Sequence, residues 1–300
     1  MTCLSGAVQY SFVYRRRFRY AKSLRGDDLK IGRQDEHGSR ISTSNAETIL
    51  VRGRDLAREL IGTINFTEHF WLLLTGALPS AGQRQVLDAT LVAIAEHGLV
   101  PSVQASRMTL AAAPEALQGA VAAGILGCGS VVLGSSEIAG RFFSEIAARA
   151  TGNLAPEAAA REVLRAYCEA KRAIPGYGHP LHKKSDPRVL RLFEVAAATR
   201  TAARHVEIAR IVERLLPEFI GRPLMLNVSG AIPAVLLDAG YPLLALKGVP
   251  LLARTAGLVA HLLEEQLRPI GFVMSHAAAS AIDYDGEVPP GFRPGDEAEE

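Results

Sequence analysis

Residues 174–188 read Ile-Pro-Gly-Tyr-Gly-His-Pro-Leu-His-Lys-Lys-Ser-Asp-Pro-Arg, joining a glycine turn, two imidazoles and a basic cluster in one run. Gly176 and Gly178 admit backbone angles closed to other residues, so main-chain N–H groups can come close to a ligand. His179 exchanges a proton near neutral pH. Lys183 and Lys184 suit phosphate as point charges, while Arg188 offers a fork that grips a carboxylate through two hydrogen bonds. Asp186 and Pro187 read as the N-cap and first residue of a helix, which puts Arg188 in a first helical turn beside the positive end of the dipole. These residue types point to a loop that holds an anion. The alternative is a capped loop whose histidines only hydrogen-bond.

Outward from this loop the periodicity is helical. Ile208, Ile211, Val212 and Leu215 recur three and four apart, and Leu251, Leu252, Thr255, Leu258, Val259 and Leu262 repeat the pattern. Alanine abounds, Pro and Gly punctuate segments of ordinary helix length, and few runs alternate as strands do. The reading is an all-α protein. Its 300 residues, 48% of them hydrophobic, suffice for one large domain or for a large and a small one. The longest uncharged stretch, residues 116–136, contains Gln118 and several glycines and serines, so it suits packed helices better than a membrane span.

Cys3, Cys128 and Cys168 lack metal-ligand spacing, so no metal site is expected and a reduced, cytoplasmic setting is the simplest one. A formal charge of +2 gives no reason to expect nucleic acid as a partner. The first 26 residues nevertheless hold six Arg or Lys and no acidic residue. A transit-like peptide, a nucleic-acid-binding arm and a flexible extension share this pattern, and the last is the expectation for residues 1–38. Residues 286–300 are expected to form a solvated acidic tail.

The run 174–188 resembles the citrate synthase superfamily, whose members carry a Pro-Gly-(Phe/Tyr)-Gly-His turn followed nine residues later by the arginine of Asp-Pro-Arg. Here the pair is His179 and Arg188. Further matches run in order. Ile41-Ser42, Val51-Arg52-Gly53 and the stretch from Phe66-Thr67-Glu68 to Leu78-Pro79 are similar to structural segments of the family. His97 stands ten residues before Arg107, the spacing of a substrate-contacting histidine in the family; a lone histidine near a helix end also suits capping. Ala253-Arg254-Thr255-x-Gly257-x-x-Ala260-His261 resembles the helix whose arginine binds a citrate carboxylate, and Arg268-Pro269 resembles a later Arg-Pro whose arginine reaches the neighbouring subunit's site.

The resemblance implies an all-α homodimer with a large helical domain, residues 39–132 and 235–285, a small helical domain, residues 133–234, and the active site in the cleft between them. It implies no tightly bound cofactor, a coenzyme A thioester as substrate or product, and a di- or tricarboxylate ligand. His179 and Ser229 then occupy catalytic positions, His97, Arg188, Arg254 and Arg268 bind carboxylate, and Pro175, Gly176, Tyr177, Gly178, Lys183 and Lys184 hold coenzyme A.

Two positions depart from the family's pattern. Its enol-stabilising histidine corresponds to Val132, and its proton-abstracting aspartate corresponds to Ser229. Valine cannot hydrogen-bond an enol oxygen, and an unactivated serine is too weak a base near pH 7. The compact length and the stretches around residues 120–127, 179–183 and 268–272 look more like the citryl-CoA-lyase-like branch. The expected activity is therefore cleavage or formation of the carbon–carbon bond between acetyl-CoA and a 2-keto acid such as oxaloacetate. A citrate or methylcitrate synthase and a non-catalytic binding homologue are the alternatives.

Overall fold

Capping residues fix where many of the helices begin. Asn65 and Ser80 close capping boxes with Glu68 and Gln83, Asp186 and Asn227 accept backbone N–H groups of the helices they precede, and Pro101, Pro156 and Pro187 stand in first turns. The computed structural model describes residues 38–129, 134–152, 154–178 and 185–292. Val132, His179, His182, Lys183 and Lys184 lie outside the described residues.

Among the described residues the α-helices are α1 (Phe66–Thr75), α2 (Ala81–Ala95), α3 (Pro101–Ala112), α4 (Leu117–Leu126), α5 (Ser135–Arg149), α6 (Pro156–Glu169), α7 (Pro187–Ala198), α8 (Arg204–Ile220), α9 (Val228–Asp238), α10 (Gly248–Leu267) and α11 (Gly271–Ala281). The all-α expectation misses one element. Strands β1 (Ser42–Ser44), β2 (Ile49–Val51) and β3 (Arg54–Asp55) form a small antiparallel sheet in that order. Arg52 and Gly53 turn β2 into β3 with positive φ at both positions, the backbone of a tight two-residue hairpin.

From Ile41 onward the helices gather in two packed groups. One comprises α5, α6, α7, α8 and α9, around Phe142, Phe143, Ile208, Leu216 and Ile232, all 1% exposed or less. The other comprises α3, α4, α10 and α11, with Leu110, Ala120 and Leu262 at its centre. Helix α2 packs on α10 and also on α7 and α9, so it joins the two groups. The stretch Leu243–Leu267 is long and apolar enough to cross a membrane by length and composition. In the fold α10 instead lies against α2, α3 and α4 and buries Arg254 and Glu265, which a lipid environment would make costly.

The contact between α2 and α10 is close. A Cβ on Gly257 would stand 2.1 Å from the carbonyl oxygen of Ala95, a backbone atom that cannot swing aside. Gly257→Ala should therefore destabilise by about 2–3 kcal/mol, toward the upper end for overpacking, as read from the midpoint of denaturant unfolding. Gly119→Ala, which meets only Ala116 Cβ at 3.5 Å, is the control and should not destabilise.

Candidate functional site

The glycine turn of residues 175–178 crosses the segment 225–230 backbone to backbone. Gly178 N–H donates to Met225 O (2.8 Å), Asn227 N–H donates to Gly176 O (2.9 Å), and Asn227 Nδ2 donates to Gly178 O (2.6 Å). Gly176 has φ +88°, and a Cβ there would stand 2.8 Å from Gly230 Cα. Gly176 is thus needed for this crossing, and the Gly178 N–H is taken by Met225 O. Tyr177 points inward. Its ring meets Phe143 edge-on, its hydroxyl donates to Ala209 O (2.8 Å), and burial raises its pKa well above the ordinary value. Tyr177 and half-buried Pro175 leave only limited surface for a ligand.

Asp186 joins this crossing to α7. Its carboxylate, 1% exposed, caps the helix by accepting from Arg188 N–H (3.1 Å), accepts from Arg188 Nε and Nη2 (2.9 Å each), and accepts from Val228 N–H (3.1 Å) at the start of α9. Burial pushes the carboxyl up, but the Arg188 hydrogen bonds and charge together with the two backbone N–H groups outweigh it, so its pKa lies below the usual value. Arg188 does sit in a first helical turn, as the Asp-Pro-Arg reading expects. Its fork, however, is not free. The Nε/Nη2 edge holds Asp186.

His97 follows the end of α2 on an exposed turn. Partial burial lowers its pKa, the positive charges of Arg188 and Arg254 lower it further, and Glu96 and Asp186 oppose them. Arg188 and Arg254 therefore each lie within electrostatic reach of His97, although the three come from separate parts of the chain. Arg254 is 4% exposed, and its Nε and Nη1 are buried with no hydrogen-bond partner. Buried guanidinium nitrogens that lack a partner among the described residues are costly.

Ser229 stands in the first turn of α9, and its hydroxyl accepts from Ser135 Oγ (3.0 Å) at the start of α5. No carboxylate takes the place of a base there among the described residues. Arg268 does not figure among the charges that act on His97. It is exposed at the end of α10, beside an open cleft of about 330 Å³ lined by Glu96, His261 and Glu264 among others. Arg107, the arginine ten residues after His97, is structural: it is 2% exposed and donates to Glu265 (2.6 Å), Glu264 (2.9 Å) and Arg268 O (3.1 Å). Among the described residues no group of three or more His, Cys, Asp or Glu side chains is placed to hold a metal ion.

Sequence reading leaves out several residues of this site. Asp186 is legible as a cap but not as the partner of Arg188 and Val228. Asn227, a cap-type residue before a helix, gives some signal, and His261 is visible only as the end of the Arg254 motif; Ser135 and Glu96 give none, because their partners lie far away in the chain.

A helical frame that brings two arginines and a histidine together beside paired loops defines an anion-binding site of the kind found where a carboxylate substrate is held. The chain belongs to the citrate synthase family: the family model described as citrate synthase, C-terminal domain, matches residues 81–270. The structure is similar to that of citryl-CoA lyase from Hydrogenobacter thermophilus, with a TM-score of 0.75 and 30% identity over 86% of this chain and 97% of that one. It also resembles ATP citrate lyase from Methanothrix soehngenii, solved with citrate and coenzyme A, with a TM-score of 0.69 and 23% identity over 95% of this chain and 47% of that one; this likeness is one of fold. The citrate/2-methylcitrate synthase of Bacillus subtilis is 28% identical over 208 residues, 68% of this chain and 53% of that protein. The chain spans about half the length of the curated relatives it matches.

Two outcomes follow from this geometry. Arg254→Met replaces an unpaired buried charge by an apolar chain of similar reach, so the ligand-free variant should melt no lower than the parent. Citrate at about 100 times its Kd should stabilise the parent by about 2.7 kcal/mol and leave the variant's melting temperature unmoved in calorimetry. Asp186→Asn removes the charge that Arg188 needs. Because the Asp186 carboxyl is depressed in the fold, its contribution is full above the unfolded value of about 3.9 and is lost as pH falls through the folded one. Parent and variant should differ by about 3 kcal/mol in unfolding free energy at pH 7, and the difference should begin to shrink only below about pH 4, vanishing once pH has fallen past the depressed folded value.

Proposed function

We propose that the protein is a citryl-CoA-lyase-type enzyme that cleaves, or in reverse forms, the carbon–carbon bond between acetyl-CoA and a 2-keto acid such as oxaloacetate. The observation that carries this reading is Arg254, whose buried Nε and Nη1 have no partner among the described residues and which, like Arg188, lies within electrostatic reach of His97, an arrangement suited to a ligand bearing several carboxylates. Within the family, the choice of a lyase is supported by the likeness to citryl-CoA lyase, at 30% identity and a TM-score of 0.75.

In the cleavage direction a base takes the proton of the substrate's 3-hydroxyl. The oxygen lone pair then forms the keto acid's carbonyl as the C–C bond breaks, its electrons pass into the thioester enolate, and a proton delivered to carbon yields acetyl-CoA. By family resemblance His179 is the base. Arg188 and Arg254 hold carboxylates, and His97 adds a donor that binds carboxylate better as it protonates. The groups that hold coenzyme A are the 175–178 turn with Lys183 and Lys184. The coenzyme enters as a thioester substrate and leaves as product; nothing in the site calls for a tightly bound cofactor. The reading includes a homodimer in which Arg268 reaches the neighbouring site. The exposed apolar side chains Val259, Leu263 and Leu267 on α10 and Phe272 and Val273 on α11 support such an interface.

Purified protein incubated with citryl-CoA should release oxaloacetate and acetyl-CoA, followed by keto acid and thioester assays. Turnover of acetyl-CoA plus oxaloacetate to citrate and free thiol would instead select the synthase, and turnover of neither would leave a binding homologue. Ser229→Asp supplies a carboxylate where the family keeps its base, and general-base assistance is worth about 10²–10⁴-fold. A partial gain of that size in citrate formation is expected. If the parent cleaves citryl-CoA and the variant loses that activity, the Ser135–Ser229 hydroxyl pair has its own part in the reaction.

A further inference from the structure

We infer that the Glu96–His261 pair is the positioning unit of His97. It holds the turn that bears the histidine against the helix that bears Arg254. This rests on the reading of His97 as a carboxylate contact. Arg254, Gly257 and His261 share one face of α10, since they are spaced three and four apart. That face meets the end of α2. Gly257 lets the Ala95 carbonyl come into contact, and one turn later His261 Nε2 donates to Glu96 Oε1 (3.0 Å). The same Glu96 oxygen accepts the Gly98 N–H. Glu96 therefore bridges over His97, tying the residue on its far side to itself and both to α10.

Three features distinguish this pair from an ordinary surface ion pair. The His261 side chain is only 13% exposed. Its Nδ1 is buried without a partner, so Nε2 alone anchors the ring, and Glu96 is its acceptor. Gly98 has φ +67°, a turn that Glu96 locks from the side-chain direction. The pair also acts electrostatically. Four charged groups set the proton affinity of His97: Arg188 and Arg254 lower it, while Glu96 and Asp186 raise it. Glu96 is the one among them on the same turn. It thus holds His97 in place and keeps the ring closer to protonation than the two arginines alone would allow.

The test uses oxaloacetate binding by calorimetry on the full chain and histidine-labelled NMR titration. His261→Ala should weaken oxaloacetate at least about threefold, within the range of coupling between residues in contact. His261→Gln keeps an N–H donor for Glu96 and should restore most of the affinity. In a His97→Ala background His261→Ala should add nothing. Equal losses in both backgrounds, no rescue by glutamine, or no loss at all would overturn the inference. In NMR the His97 signal, identified by its disappearance in His97→Ala, should titrate at lower pH in Glu96→Gln, and an unmoved midpoint would overturn the electrostatic half. If His97→Ala alone leaves oxaloacetate affinity intact, the carboxylate role of His97 fails. The positioning of its ring is then still decided by the titration.

Discussion

Most of the site depends on one buried carboxylate. Asp186 accepts four hydrogen bonds, and together they tie down three things: the first turn of α7, one edge of a guanidinium, and the first turn of α9. A carboxylate in an apolar setting would ordinarily take up a proton. Here the surrounding donors are strong enough to keep it charged, so burial becomes a means of fixing direction. With α9 held in this way, Ser229 is held too, and the loop that crosses at Gly176 and Gly230 has a rigid floor.

The two arginines consequently differ in character. Arg188 is half neutralised and already oriented, which favours precision over strength of attraction. Arg254 is buried on α10, and its Nε and Nη1 have no partner among the described residues. On the proposed reading a ligand with two or more carboxylates would meet an already oriented guanidinium on one side and unpaired donors on the other, and a monoanion would leave one of the two incompletely used.

How much of this was legible in the sequence depends on distance along the chain. Helices begin where Asp186, Asn227, Asn65 and Ser80 say they do, since a cap is a local signal. The sheet escapes because strands of two or three residues carry no alternation to read, although the Arg52-Gly53 turn is a local cue. Arg188 and Arg254 were visible from motifs, and the structure brings both within reach of His97. Gly176 was visible as a glycine, but its reason was not: it lies in Gly230, across the crossing. Asp186 as a hub and Glu96 with His261 are relations between distant segments. No spacing rule encodes them.

The clamp at Arg107 bears on how distant parts of the chain are held together. Its guanidinium lies in the interior on α3, yet its partners Glu264 and Glu265 sit at the far end of α10. The interior charge on α3 therefore has its counter-charges only when the end of α10 is packed against it, and the turn after α2, anchored by His261, leans on the same helix. One late helix thus holds two earlier segments of the chain to the fold.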